Sequence, residues 1–124
     1  MDPNRIRDFV RGRLGCQCEE AVFQAIQIHT GPGLPAGVAV EWRIGGRLLI
    51  WLAPGPGLDL PRLVQAGRQV RDRDGFNRWR LVSAPDLDPA ALERAFLDLA
   101  GDDRRLHLHL LDPGAFRELL DPHL

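Results

Sequence analysis

Two cysteines, Cys16 and Cys18, are the chain's only thiols, and they stand one residue apart. Thiols at this spacing can clamp one soft metal ion, zinc or another, or close a small strained disulfide ring. Cys18 runs into Glu19-Glu20-Ala21-Val22-Phe23, which reads as a short helical turn, and unpaired amides at a helix start favour a thiolate. The competing reading is packing, because free cysteine is among the most buried residue types. A C-x-C is also far less specific than paired C-x-x-C motifs.

His107 and His109 alternate with Leu106, Leu108 and Leu110, so on a strand both imidazoles share one face while the leucines point to the core. An H-x-H pair can chelate a metal, and with Cys16 and Cys18 it would complete a tetrahedral Cys2His2 set suited to zinc. The competing reading is a solvated face or an edge strand. Asp86, Asp88 and Asp112 follow the two late strands and offer a divalent-metal cluster, although each also suits a helix cap. The loop Ala53 to Leu58 follows an inner strand and opens onto a helix, where open α/β sheets bind ligands, but Pro54 and Pro56 each remove an amide donor. Ser83 lacks the G-x-S-x-G elbow of a nucleophilic serine.

Composition removes several mechanisms. All sixteen basic residues are arginine, and lysine and tyrosine are absent, so Schiff-base catalysis, lysine bases and tyrosine acids have no carrier. Hydroxyl nucleophiles are limited to Ser83 and Thr30. The arginines are interspersed with seventeen acids at a net charge of -1, which argues against phosphate-backbone binding and hence against nucleic acid. No apolar run is long enough for a membrane span, and Met1-Asp2-Pro3-Asn4-Arg5 lacks a signal-peptide core, so a cytoplasmic location with mostly reduced cysteines is expected.

The elements that must position these residues follow from periodicity and punctuation. Asp2 or Asn4 caps a first helix carrying Ile6, Phe9, Val10 and Leu14, which ends at Gly15 and delivers Cys16. Ala25 to Thr30 reads as a strand. Val38 to Ile44 and Arg47 to Leu52 read as a hairpin on a two-residue Gly45-Gly46 turn with Ile44 opposite Arg47. That register collects Val38, Val40, Trp42, Leu49 and Trp51 on one face and leaves the first arm half wet. Asp59 caps a helix ending near Gly75, Arg78 to Ala84 is a strand, Asp86 or Asp88 caps a helix stopped at Gly101, Arg105 to Leu111 is a strand, and Pro113 opens a last helix. The expectation is a single domain spanning 1–124 in the α/β (α+β) class. It has one mixed sheet of about five strands, an N-terminal three-strand meander, two parallel crossovers and helices on both faces.

Leu14-Gly15-Cys16-x-Cys18, followed by Glu19-Glu20 and Val22-Phe23, resembles the N-terminal LGCxC…VF signature of small uncharacterised prokaryotic proteins. The pattern carries proline after the second cysteine where this chain has Glu19, and the resemblance implies no activity. The element order is also similar to ribonuclease H-like folds, with one departure. Those nucleases need an acid on the first strand, and Ala25-Ile26-Gln27-Ile28-His29 has none.

Three functions remain in order of preference. The first is a non-catalytic thiol module in which Cys16 and Cys18 bind a soft metal ion or respond to redox state. The second is a protein-interaction or homo-oligomerisation domain that uses the hairpin arm or the last strand as an edge. The third is a magnesium-dependent hydrolase or nuclease-like enzyme built on Asp86, Asp88 and Asp112. For the metal, Cys16 and Cys18 are the expected ligands, with His107 and His109 the second choice. Because Cys16 precedes the first strand and His107 lies on the last, a simple strand order puts them at opposite edges. Replacing both histidines by alanine should therefore leave zinc affinity unchanged; a large loss without unfolding would establish the four-residue site instead.

Overall fold

The structure, a computed structural model, describes residues 2–15, 20–55, 57–85 and 88–120. Cys16, Cys18 and Asp86 lie outside them. Asp2 accepts the Asn4 amide at 2.9 Å and starts α1 (Pro3–Gly12) with a proline in its first turn, where a missing N–H costs nothing. A single 3₁₀ turn (Glu20–Gln24) leads into β1 (Ile26–Thr30), β2 (Val40–Ile44) and β3 (Leu48–Pro54). Then follow α2 (Leu60–Asp74), β4 (Arg78–Ala84), α3 (Pro89–Ala100), β5 (Leu106–Leu110) and α4 (Pro113–Leu120).

The strands form one mixed sheet in the order β1-β2-β3-β4-β5, antiparallel through the first three and parallel from β3 to β5. This is the expected α/β class. Parallel pairs need crossover helices, and helices on both sides bury both faces of the inner strands. β3 accordingly has Leu48 through Ala53 all buried. One face packs Trp42, Ile50, Leu52 and Val82 under Ile6 and Val10 of α1 and Phe116 of α4. The other packs Leu49, Trp51, Trp79 and Leu81 under Leu63 of α2 and Phe96 of α3.

The hairpin register departs from the expected one by one residue. Ile44 pairs with Leu48, Trp42 with Ile50 and Val40 with Leu52, so Gly45-Gly46-Arg47 is a three-residue connection. Arg47 is held in the turn because its carbonyl accepts the amides of Asn77 at 2.9 Å and Arg78 at 3.1 Å, at the entry to β4. Gly45 and Gly46 both have positive φ (59° and 67°), and a Cβ on Gly45 would lie 2.6 Å from the Val22 carbonyl oxygen. Since a one-residue slip exchanges faces, Trp42 and Trp51 belong to opposite layers. Nor is the first arm half wet. β2 lies between β1 and β3, only Arg43 in it is partly exposed, and it offers no free edge.

Trp79 anchors the α2/α3 layer, edge-to-face on Trp51 (5.4 Å between ring centroids) and stacked on Phe96 (6.2 Å). Gly67 lets α2 approach this indole: a Cβ at that position would overlap the Trp79 ring. Gly67→Ala should therefore destabilise the fold by about 1–3 kcal/mol in urea titration, despite alanine's better helix propensity. Gly12→Ala in α1, whose Cβ would meet nothing within 4 Å, should be neutral or slightly stabilising. Equal effects of the two substitutions would remove the steric explanation.

Candidate functional site

β4 is an inner strand, so the alternate residues Arg80 and Val82 are buried on the α1/α4 side, while Arg78, at the strand's start on the same side, remains exposed. Arg80 is only 6% exposed. Its Nη1 donates to the Leu14 carbonyl at 3.1 Å and to His109 Nε2 at 2.8 Å, while its Nε has no partner. Among the described residues no carboxylate forms an ion pair with it. Burial and the neighbouring Arg78 both push the Arg80 pKa down. Two residues earlier on the same strand, Arg78 Nη1 meets His107 Nε2 at 3.1 Å.

A guanidinium is donor-only, so in both pairs the imidazole Nε2 must accept and the ring proton resides on Nδ1. Both histidines are thus held as the neutral Nδ1–H tautomer. Burial, then Arg80, then His107 hold His109 down at about 4. His107 is lowered by burial and by Arg80 and Arg78, with Asp103 opposing. With both Nε2 lone pairs turned to guanidinium groups, this face presents positive charge where a metal ion would have to sit. Among the described residues no group of three or more His, Cys, Asp or Glu is placed to hold a metal.

The cysteine segment lies outside the described residues, but both of its flanks are pinned. Leu14, two residues before Cys16, gives its carbonyl to Arg80. Glu20, two residues after Cys18, takes Arg7 at 2.9 Å and Arg11 at 3.0 Å from α1, and Arg11 also stacks over Phe23. β1 and β5 are indeed opposite edges, yet Leu14, after α1, lies against Arg80 of β4, next to the histidine strand. The turn after Cys18 is five 3₁₀ residues, too short to carry the macrodipole expected from a helix.

Asp88 accepts the Ala90 amide at 3.1 Å and Asp112 the Ala115 amide at 3.0 Å, so each caps a helix. β1, at the far edge from β4 and β5, carries no acid. Ser83 is fully buried without a hydrogen-bond partner, which no attacking nucleophile can be. The loop after β3 turns on itself through Leu58 N–H to the Gly55 carbonyl (3.2 Å), and Asp59 caps α2.

Sequence patterning singled out neither Arg80 nor Glu41, and it placed Glu41 in a half-wet arm. Glu41 is buried and fully used, accepting Arg43 Nε on Oε1 and Trp51 Nε1 on Oε2, each at 2.8 Å. Arg43 in turn reaches Asp74 at 2.8 Å. The signal for Arg80 was present: a strand between two parallel crossovers has both faces covered along its middle, so an arginine there must be buried. The chain matches no protein-family model, no curated protein and no solved structure.

A histidine held neutral well below its ordinary value gives a defined acid response. Between about pH 6.5 and 4 the unfolded chain binds more protons at this residue than the folded one, so the stability is full above 6.5 and is lost as pH falls toward 4. Asp74, held at about 2 by Arg73 and then Arg43, acts below that window, its contribution present above about 3.8 and lost as pH falls through 2. His109→Gln keeps an acceptor for Arg80 but cannot titrate. It should recover about 2 kcal/mol of the stability lost between pH 6.5 and 4, measured by denaturant unfolding at each pH. An unchanged pH slope would show that His109 is not held neutral in the fold.

Proposed function

We propose that the protein is a non-catalytic cytosolic thiol module in which Cys16 and Cys18 respond to redox state or bind a soft metal ion. The observation that carries this reading is the hydrogen bond from Arg80 to the Leu14 carbonyl. It sets a buried guanidinium without a carboxylate partner among the described residues two positions before Cys16. Thiolates are favoured by nearby uncompensated cations, and a reactive cysteine needs such a microenvironment. Two residues of backbone reach at most about 7 Å, so the chain leaves Arg80 and enters the C-x-C almost at once. Pinning by Arg7 and Arg11 on the other flank limits the entropy the segment would lose on closing a disulfide or gripping a metal.

The edge strand β5 favours a second reading as an interaction domain. β5 pairs only with β4, and the exposed Leu97 of α3 stands beside it in a cleft with Leu106 and Leu108. Light scattering separates the two, since a strict monomer at high concentration counts against self-association through that edge.

For the thiol module, the rate of iodoacetamide alkylation as a function of pH should have a midpoint below the ~8.5 of an unperturbed cysteine. Arg80→Met, which keeps the buried volume apolar, should raise that midpoint by about one unit. Thiols that titrate like free cysteine in both proteins, together with no zinc or copper bound to the reduced chain, would dispose of the proposal.

A further inference from the structure

The sheet has two edges, and they are not equally guarded. β5 is buried or half-buried along its length, whereas β1 is exposed from Gln27 to Thr30. Exposed strand edges are ordinarily blunted by charged residues, proline or a bulge, because open N–H and C=O groups recruit another strand. Ile26-Gln27-Ile28-His29-Thr30 holds no proline, acid or arginine, and it pairs with β2 in an unbroken register. It also carries Ile28, 38% exposed and, with Leu97, one of the large apolar side chains that the described residues leave in water. The charged residues opposite His29 and Gln27 on β2, Glu41 and Arg43, answer each other at 2.8 Å, so neither turns an uncompensated charge to the edge.

The register shows which backbone groups are open. Gly45 N–H donates to the Ala25 carbonyl at 2.8 Å, and bonded and non-bonded pairs alternate in an antiparallel ladder, so Gln27 with Arg43 and His29 with Glu41 are also bonded pairs. Ile26, Ile28 and Thr30 therefore turn their N–H and C=O groups away from β2, to the open edge. We infer that β1 is the docking strand for a second copy of this chain, which adds its own β1 antiparallel about a two-fold axis at Ile28. The edge is complementary to itself. The axis sets Ile28 opposite the partner's Ile28, Ile26 opposite the partner's Thr30 and Gln27 opposite the partner's His29. Each open donor and acceptor of Ile26, Ile28 and Thr30 is then matched by one on the other copy, because these residues become the bonded pairs of the new seam. A one-residue slip would instead face them with groups already spent on β2. The side chains fit as well: Ile26, Ile28 and Thr30 are β-branched and lie beside Ile44, Trp42 and Val40, so pairing extends an apolar layer that otherwise stops at β1. On the opposite face a carboxamide meets an imidazole, and both can donate and accept. Gly31, with φ 95°, turns the chain off the edge directly after Thr30.

The seam involves neither the cysteines nor β5, so its failure is separable from that of both readings above. Sedimentation equilibrium of the full chain should show a monomer–dimer equilibrium; the seam is short, at the small end of specific interfaces, so the measurement runs to about 1 mM protein. Ile28→Lys sets two like charges directly opposite each other and should weaken the dimer about tenfold or more, with the far-UV circular dichroism of the monomer unaltered. Leu97→Lys, on the helix beside β5, should leave the dimer as it is. Register is read by cross-linking in a chain that also carries Cys16→Ser and Cys18→Ser. Ile28→Cys meets its own copy at about 5.5 Å between Cα atoms, within disulfide reach, and should give a covalent dimer on mild oxidation. Gln27→Cys, opposite the partner's His29 rather than its own copy, should not. The cross-link places no charge in the strand, so it reads the seam even where Ile28→Lys fails to fold. A monomer at every concentration, a dimer that Leu97→Lys dissociates and Ile28→Lys does not, which would put the seam on β5, or cross-linking of Gln27→Cys as fast as of Ile28→Cys would overturn the proposal.

Discussion

The parallel pairing of β3 with β4 is the constraint from which the rest of the structure follows. It runs for seven residue pairs, from Leu48 opposite Arg78 to Pro54 opposite Ala84, and it can be closed only by a crossover, which α2 provides. The second parallel pair, β4 with β5, requires α3, and the two helices then cover one face together. That leaves the opposite face of the same inner strands to be covered by α1 and α4 from the two ends of the chain. Fixing the central pair therefore fixes two apolar layers, and the side chains of β3 up to Ala53 and of β4 from Trp79 on must be compatible with burial.

Three polar side chains in these inner strands meet that demand in three different ways. Glu41 satisfies both oxygens with an indole N–H and a guanidinium, and the guanidinium is itself fixed by Asp74 and lies over the Phe76 ring at 5.4 Å. This is a closed network, in which each charge has its partner and nothing is left to bind. Ser83, small and neutral, is simply packed, at the modest cost of an unpaired hydroxyl. Arg80 is a full charge answered only by neutral acceptors. Replacing such a residue with an apolar one of like volume is often neutral or stabilising, so stability alone gives no reason for an arginine here.

Much of this architecture was legible in the sequence, because it depends on punctuation and period. Asp2, Asp59, Asp88 and Asp112 cap their helices, each with a proline in the first turn, and the strand-helix alternation dictates the mixed sheet. What was not legible depended on long-range contacts. The hairpin register turned on whether Arg47 belongs to the turn or the strand, and that is decided by amides thirty residues away at Asn77 and Arg78. Likewise the alternation Arg78, Arg80 against Trp79, Leu81 looks half wet when read locally. The placement of β4 between β3 and β5 reverses it for Arg80, while Arg78 at the strand's start stays exposed.

The histidine pair shows how the same spacing changes meaning once its neighbours are known. On a strand, H-x-H aims two imidazoles to one side, which by itself suits a metal ion. Register sets Arg80 opposite His107 and Val82 opposite His109, and the long arginine side chains reach each Nε2. A unit charge near a second one at 4 Å meets about 4 kcal/mol of repulsion at an effective dielectric of 20, and a divalent ion meets about twice that from each guanidinium. Coordination would also require displacing Arg80 from His109, stranding a buried cation that now has two acceptors.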